Sequence, residues 1–139
     1  MTQYTAAKRR ITVDEICAPG FSTPLDAPTI PPFPFEFRNA EVLTLAYRSD
    51  PAAMACLLPP PLELVGDMVL IHIYKMNDTD WLGPYGEANV MFGARLPGSN
   101  VNGAYSPYLY LSSDVGVTHG REIHGQPKKM GHPRLEARG

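Results

Sequence analysis

Two adjacent lysines, Lys128 and Lys129, are the residues of this 139-residue chain whose type and spacing most directly indicate chemistry. They lie between Pro127 and Pro133, and a proline fixes its own φ and biases the preceding residue towards extended backbone. Two ammonium groups held together repel, so one of them can lose its proton and become a nucleophile for a carbonyl carbon. The pair therefore predicts a lysine that forms a Schiff base. The alternative is two solvated surface lysines.

The elements that precede this motif are indicated by apolar alternation and by proline. Three phenylalanines at alternate positions in residues 30–37 predict an extended arm that packs on a core, with a polyproline II ligand as the alternative. Residues 41–47 read as a half or fully buried strand. Asp50 and Pro51 predict the N-cap and first residue of a short helix that ends before the prolines at 59–61.

Short strands are predicted along the rest of the chain. Residues 62–64 and 68–76 read as two strands with a turn at 66–67, and alternate residues of the second face opposite ways. Further strands are predicted at 88–96, 108–112 and 115–119, with loops at 77–87 and 97–107 and one helical turn at 122–125. This pattern predicts one α+β domain, predominantly β, built as a sheet or barrel.

Composition and charge narrow the class of partner. The formal net charge of −2, with 44% hydrophobic and 19% charged residues, gives no electrostatic case for nucleic acid or an anionic membrane. No apolar run approaches the ~20 residues of a membrane span. Lys8, Arg9 and Arg10 are followed by no apolar stretch, so a secretory signal is not expected. Cys17 and Cys56 form no metal motif or disulfide framework, which favours a reducing, cytoplasmic setting.

The residues around the lysine pair resemble the acetoacetate decarboxylase family. Residues 120–135 contain Gly-Arg-Glu-Ile and then Pro-Lys-Lys-Met-Gly-His-Pro-Arg-Leu. Four earlier stretches follow the family's order and rough spacing, namely residues 33–39, 47–50, 57–63 and 77–87. The ordered set covers most of the chain between residues 22 and 135, which makes it far more specific than a lysine pair alone.

The resemblance implies a fold and a domain division. The family fold is a β-cone or barrel of mainly antiparallel strands with short peripheral helices, and family members are oligomers. Residues 1–21 are then expected to be a flexible N-terminal segment, with the family domain at 22–139. Since family domains are considerably longer, the chain is expected to correspond to about their N-terminal half, leaving the barrel incomplete.

The resemblance also assigns roles to single residues. It makes Lys128 the nucleophile and Lys129 the neighbour that keeps its amine neutral, together with burial in an apolar pocket. Arg48 would orient the substrate carboxylate, directly or through a carboxylate side chain, where the alternative is a surface ion pair with Asp50 or Glu41. Glu87 would line the pocket in an electrostatic or proton-handling role, where the alternative is an exposed loop carboxylate.

Two further residues are assigned to the substrate pocket, His72 and Glu122. His72 occupies a strand position where bacterial decarboxylases carry a second pocket glutamate, so this chain departs from the family there and acetoacetate itself is less firmly implied. A core histidine with one satisfied nitrogen is the alternative. Glu122 is expected to shape the loop before Lys128 together with Arg121, as an ion pair or cap.

The implied reaction is decarboxylation of a small β-keto acid, acetoacetate to acetone and CO2, through an imine at Lys128. No metal or organic cofactor is expected, because the imine itself is the electron sink and because the histidines at 119, 124 and 132 lack metal-like spacing. A Schiff-base aldolase-dehydratase is one alternative. The other is an inactive family member that acts only as a binding or structural remnant.

Overall fold

A five-stranded mixed sheet forms the body of the protein. The computed structural model describes residues 11–17, 24, 30 and 33–136, and predictions for residues 1–10 and 18–23 lie outside the described residues. The strands are β1 Phe37–Arg48, β2 Glu63–Thr79, β3 Tyr85–Arg95, β4 Asn102–Leu111 and β5 Lys128–Met130. The helices are α1 Val13–Cys17, α2 Pro51–Ala55 and α3 Asp114–His124.

The strands lie side by side in chain order. β1 to β4 pair antiparallel, and β5 then pairs parallel to β4 with Lys128 opposite Leu109. A parallel pair needs a crossover, and α3 supplies it between β4 and β5. The expected class, α+β with a predominance of strand, is confirmed. Within the described residues β1 and β5 are the outer strands of an open sheet.

The first strand and the helix after it follow local sequence signals. β1 covers the predicted strand and extends it at its start, but every residue of β1 is exposed, so the predicted burial is wrong. The start of α2 is confirmed, because the Asp50 carboxylate accepts a hydrogen bond from Ala52 N at 3.0 Å and Pro51 is its first residue. α2 ends before the three prolines, as predicted.

β2 is one strand of 17 residues where two were predicted. The predicted turn is a bulge, since the pairing register with β3 shifts between Leu64 and Val69 and Gly66 adopts a φ of +74°. Beyond the bulge the predicted alternation is confirmed: Ile71 and Ile73 face one side and His72 the other. β2 also continues into the predicted loop and ends at Thr79.

The predicted strand at 115–119 is wrong, because these residues lie in α3. Ser113 is the N-cap of α3, and its Oγ accepts a hydrogen bond from Gly116 N at 3.1 Å. Gly125 ends the helix in the left-handed conformation at φ 63°, and its N–H donates to Gly120 O. The turn after α3 leads directly into β5, so this helix sets the position of the lysine pair.

Each face of the sheet carries one helix, at opposite ends. α2 packs on the first face through Met54, which is buried with Val69 and Phe92. On the second face Leu111, with none of its surface exposed, is buried with Leu82 and Tyr85. Val115 and Val117 of α3 and Phe35 of the arm pack against this second cluster. No helix in the described part of the chain is long and apolar enough to cross a membrane.

Candidate active site

Lys128 is the first residue of β5 and is buried, with 10% of its side chain exposed. Its strand partner is Leu109, itself almost fully buried in the middle of the second face. Strand alternation points the lysine towards that face, where α3 covers it. Lys128 is therefore buried and is not the solvated surface lysine of the alternative interpretation.

Glu87 is the partner of the buried amine. Its Oε2 lies 3.4 Å from Lys128 Nζ, and only 12% of the glutamate side chain is exposed. Glu87 stands near the start of β3 between Tyr74 and Leu111 of the neighbouring strands, so the sheet fixes its position. The alternative of an exposed loop carboxylate is not what the structure contains. In a buried ion pair of this kind each charge is compensated by the other, so removing one partner would leave the other charge buried and uncompensated.

Burial and the Glu87 charge also act on two tyrosines of this face. Burial raises the pKa of Tyr74, and the negative charge of Glu87 adds to that effect. The pKa of Tyr85 is raised further by burial, with smaller contributions from Glu87 and Tyr74. Both hydroxyls therefore stay protonated at neutral pH and are neutral hydrogen-bonding groups.

The stem of Lys128 lies against the backbone of α3. A Cβ added to Gly120 would lie 2.3 Å from Lys128 Cδ, 2.5 Å from Cε and 3.0 Å from Nζ. Those distances leave no room for any other residue at 120 unless the lysine moves. The glycine of the motif therefore lets the helix approach closely enough to hold the lysine stem.

An aromatic cavity of about 420 Å³ opens beside Lys128. Phe35 contacts Phe33 and Phe37, with ring centroids 5.3 and 5.5 Å apart. All three rings line the cavity together with Tyr85, so the predicted arm forms one wall of it. The residues of its wall are Phe33, Pro34, Phe35, Phe37, Leu82, Tyr85, Gly116, His119, His124, Gln126 and Lys128.

His119 is the buried polar group of this wall. It is 7% exposed, and its ring lies 5.5 Å from Phe33, 5.1 Å from Phe35 and 5.0 Å from His124 between centroids. Its Nε2 has no hydrogen-bond partner among the described residues. Burial lowers the pKa of His119, and the charges of His124 and Lys128 lower it further, so the imidazole is neutral at pH 7.

Lys129 is exposed and pairs with Tyr110 on β4. Because successive residues of a strand point to opposite faces, its side chain leaves the sheet on the side away from Lys128. The structure thus places the two lysines next to each other along the backbone without bringing their ammonium groups together.

Arg48 shares a face with Lys128 but lies far from it. It is four residues along β1 from Thr44, which lies in the same cross-strand row as Lys128. About 13 Å along the strand and four strand spacings of ~4.8 Å across the sheet therefore separate the two positions. Its guanidinium binds both carboxylate oxygens of Asp67, at 2.7 and 2.9 Å, and 76% of its side chain is exposed. Within the described chain Arg48 is a surface ion pair, with Asp67 in place of the partners considered above.

His72 lies in the same cross-strand row as Lys128. The row runs through Asn89 and Leu109, and three strand spacings of ~4.8 Å separate its two ends. His72 Nδ1 is 3.0 Å from Thr44 Oγ1, so one nitrogen is satisfied, as in the core-histidine alternative. Asn89 is buried, and its Oδ1 has no partner in the described residues.

Glu122 is exposed on α3 and is not among the residues that line the cavity. Arg121 and Glu122 were expected to form an ion pair or a cap, and the salt bridges of residues 33–136 include no pair between them. The described residues also contain no group of three or more His, Cys, Asp or Glu side chains that could hold a metal ion.

Sequence reasoning identified Lys128 and Glu87, which the fold brings together, but it gave no site role to His119 or to the phenylalanines. The sequence predicts His119 to lie in a strand and gives it no metal partner, and it predicts residues 30–37 to be a packing arm or a polyproline II ligand. The signal that could have found them is weak. His119 precedes the Gly120 that contacts the lysine, but only the helix reveals that this places it at the cavity.

A family model described as acetoacetate decarboxylase matches residues 19–139. Acetoacetate decarboxylase 1 of Bradyrhizobium diazoefficiens is 32% identical over 124 residues, which is 89% of this chain and 49% of the relative. Acetoacetate decarboxylase of Clostridium acetobutylicum is 38% identical over 116 residues, covering 82% of this chain and 46% of the relative. The chain therefore spans about half the length of the curated relatives it matches.

Solved structures show the same relationship. A structure of acetoacetate decarboxylase matches 91% of this chain and 51% of its own with a TM-score of 0.80 and 35% identity. The enzyme from Legionella pneumophila matches 94% of this chain and 52% of its own with a TM-score of 0.72 and 29% identity. MppR, an enduracididine biosynthesis enzyme complexed with the condensation product of pyruvate and imidazole 4-carboxaldehyde, shares the fold at 23% identity, with a TM-score of 0.59 over 81% of this chain and 48% of its own.

Proposed function

The chain belongs to the acetoacetate decarboxylase family, and from that premise we propose that it decarboxylates a small β-keto acid through a Schiff base at Lys128. The observation that carries the proposal is the buried Lys128 amine, 3.4 Å from Glu87 and open to an aromatic cavity of about 420 Å³. The chain spans about half the length of its curated relatives, so the activity of those longer enzymes is a proposal for this chain.

The chemistry requires a nucleophilic amine. The neutral Lys128 amine attacks the ketone carbon of the substrate, and loss of water gives an imine that is protonated to an iminium. The bond between the α-carbon and the carboxylate then breaks, CO2 leaves, and the electron pair of that bond moves to the iminium nitrogen and gives an enamine. A proton adds to the enamine carbon, and water hydrolyses the resulting iminium to the methyl ketone and the free lysine.

Glu87 can act at the steps of this reaction in which the Lys128 nitrogen is charged. Its carboxylate can accept the proton that Lys128 must lose before it attacks, because the two groups are within hydrogen-bond reach. After the imine has formed, the same carboxylate lies beside a cationic nitrogen and stabilises it. We assign Glu87 this electrostatic and proton-transfer role.

The aromatic wall suits the breaking of the carbon–carbon bond. The negative charge that begins on the carboxylate disperses towards the nitrogen as CO2 forms, so apolar surroundings disfavour the starting carboxylate more than the transition state. Phe33, Phe35 and Phe37 supply such surroundings at the cavity. A small acyl group of the substrate would occupy the rest of that space.

The roles predicted for Lys129, Arg48, His72 and Glu122 remain proposals from the resemblance. None of them contacts the Lys128 amine among the described residues, where Glu87 is its hydrogen-bond partner. Assembly into oligomers, a cytoplasmic location and the division at residue 22 likewise remain predictions.

The proposal is tested by release of CO2 from acetoacetate. The purified chain is expected to release CO2 and acetone, and Lys128→Arg is expected to abolish release, because arginine is always protonated and forms no imine. Circular dichroism of the variant checks that the fold is retained. Unchanged CO2 release by the folded Lys128→Arg protein would overturn the assignment.

A second candidate is a Schiff-base aldolase-dehydratase that uses the same imine. MppR, which has the same fold, is complexed with a condensation product of pyruvate and an aldehyde. Lys128 could form the corresponding imine with pyruvate. Mass analysis of products from pyruvate and imidazole 4-carboxaldehyde separates the two reactions, because only the aldolase yields a condensation product that contains both reactants.

A further inference from the structure

Arg48, which the resemblance assigns to the substrate carboxylate, is not among the described residues that line the cavity beside Lys128. Arg48 is about 13 Å along its strand from the cross-strand row of Lys128, and it already binds Asp67. The polar groups that do line the cavity with Lys128 are Tyr85, Gln126 and the two imidazoles of His119 and His124. These four polar groups are therefore candidate partners for the substrate carboxylate.

Among these polar groups, His119 has a buried ring nitrogen that makes no hydrogen bond within the described residues. Its Nε2 has no partner among the described residues, although the imidazole is 7% exposed and lies within the aromatic wall. A buried polar atom without a partner is unfavourable, and a ligand that supplies the missing hydrogen bond would relieve that cost. Phe33 and Phe35 flank the ring and hold it in place.

We propose that His119 is a positioning residue whose Nε2–H donates a hydrogen bond to the carboxylate of the β-keto acid bound at Lys128. The inference rests on the function proposed above and names the group that orients the substrate. His124 lies 5.0 Å from His119 between ring centroids, at the exposed side of the cavity, and adds a second polar group near the entering anion.

A neutral donor fits this task better than an arginine. A cation beside the carboxylate would stabilise the substrate more than the transition state, since the negative charge leaves the carboxylate as CO2 forms. Burial and the nearby charges of His124 and Lys128 lower the pKa of His119 and keep its imidazole neutral. One hydrogen bond can therefore orient the carboxylate without an ion pair that must be broken.

The test compares acetoacetate with its methyl ester, which has the same ketone and no carboxylate. Borohydride trapping at Lys128 is measured with each compound for wild-type protein, His119→Phe and His119→Gln. The wild-type protein is expected to react faster with the acid than with the ester. His119→Phe should lose that preference by about tenfold or more through slower reaction of the acid, and His119→Gln, which keeps an N–H donor, should retain most of it.

His132→Phe is the matched control, because His132 is exposed and lines a different groove. An unchanged preference in folded His119→Phe would overturn this inference while leaving the proposed function standing. Absence of an adduct from both compounds with wild-type protein would overturn both.

A second measurement requires no change at residue 119. In Lys128→Ala protein, which cannot form the imine, acetoacetate is expected to shift the imidazole nitrogen resonances of His119 in an NMR titration, and methyl acetoacetate is not. Equal shifts with both compounds, or shifts with neither, would contradict the proposed hydrogen bond. This titration decides the matter if His119→Phe does not fold.

Discussion

At the scale of single residues, the site depends on one buried contact between opposite charges. Lys128 and Glu87 are close to each other and almost fully buried, whereas Lys129, Arg48 and Glu122 are exposed. The difference follows from strand alternation and strand register, which direct the first two side chains into the covered face. The charges of Lys128 and Glu87 therefore interact in a buried environment, whereas the other three charged side chains are in solvent.

Glu87→Gln is expected to slow CO2 release from acetoacetate by about 10- to 100-fold. The change removes the negative charge beside the iminium while keeping side-chain size, and a hydrogen bond to a charged group contributes ~1.5–3 kcal/mol. Steady-state kinetics measures the effect. Glu63→Gln is the matched control and should behave like wild type, because Glu63 is exposed, pairs with Arg95 and does not line the cavity. Equal losses in both variants would count against the role of Glu87.

Lys129→Gln is expected to change the rate of borohydride trapping at Lys128 by about twofold or less. Two unit charges 10 Å apart in water interact by ~0.4 kcal/mol, and the exposed Lys129 side chain points away from Lys128. The same trapping assay at pH 7 measures it. A loss of tenfold or more in the folded variant would support the stronger activating role that the sequence suggested.

At the scale of elements, α3 decides where Lys128 lies. Its N-cap Ser113 and its terminal Gly125 fix the ends of the helix, and the turn after it delivers the chain into β5. Two glycines within α3, Gly116 and Gly120, each cost ~1 kcal/mol of helix propensity relative to alanine. Gly116 lies against Leu111 and Gly120 lies against Lys128. These two side chains occupy the space that a Cβ on each glycine would need.

Gly120→Ala is expected to leave the fold intact and to reduce trapping at Lys128 by about tenfold or more. The added methyl group would lie 2.3 Å from Lys128 Cδ, and the flexible end of the lysine is what can move away. The overpacking cost of ~1–3 kcal/mol is partly offset by the better helix propensity of alanine, so stability changes little. Thermal unfolding and trapping are measured on the same preparation.

Gly103→Ala is the control for this substitution, because the nearest atom to its added Cβ is Ala94 O at 4.0 Å. It should trap like wild type. If Gly120→Ala traps as fast as wild type, the close contact with α3 does not position the amine.

The elements were predicted from sequence where local chemistry decides them. Asp50 and Pro51 begin α2, and the alternation of apolar residues locates the second half of β2. The sequence predicts a strand at residues 115–119, where the β-branched Val115, Val117 and Thr118 favour a strand. Tertiary contact overrides that preference. Gly116 packs on Leu111 and Gly120 packs on Lys128, and residues four positions apart lie on the same face of a helix.

The site was predicted only in part for the same reason. The Lys128 motif and Glu87 are local patterns, but the approach of Phe33 and Phe35 to His119 joins residues more than 80 positions apart. Strand register also decides that Arg48 lies far from the lysine, and the sequence pattern did not provide that register.

At the scale of the whole molecule, the sheet is unevenly covered. α2 and α3 each cover one end of one face, while β1 is exposed along its whole length and is an outer strand. Val42, Leu43, Leu45 and Tyr47 of β1 are between 40% and 51% exposed. Among the described residues, β3 and β4 hold five of the eight buried apolar residues, so the most stable part of the sheet lies around these two strands.

Hydrogen exchange is expected to report this gradient. Amides of β1 should exchange at least about tenfold faster than those of β3, because within the described part of the chain β1 pairs along one edge only and has no buried side chains. Exchange with mass detection at low and high protein concentration measures it. Protection of β1 equal to that of β3 at both concentrations would contradict the open sheet. Protection that appears only at high concentration would support the predicted assembly of copies.

The central claim is that Lys128 is a nucleophilic amine in a formed cavity. Incubation with acetoacetate followed by borohydride, with intact and peptide masses read afterwards, tests it most directly. One stable adduct is expected, located on Lys128, absent from Lys128→Ala and present in Lys129→Gln. A folded wild-type protein that gives no adduct, or gives it on Lys129, would contradict the account.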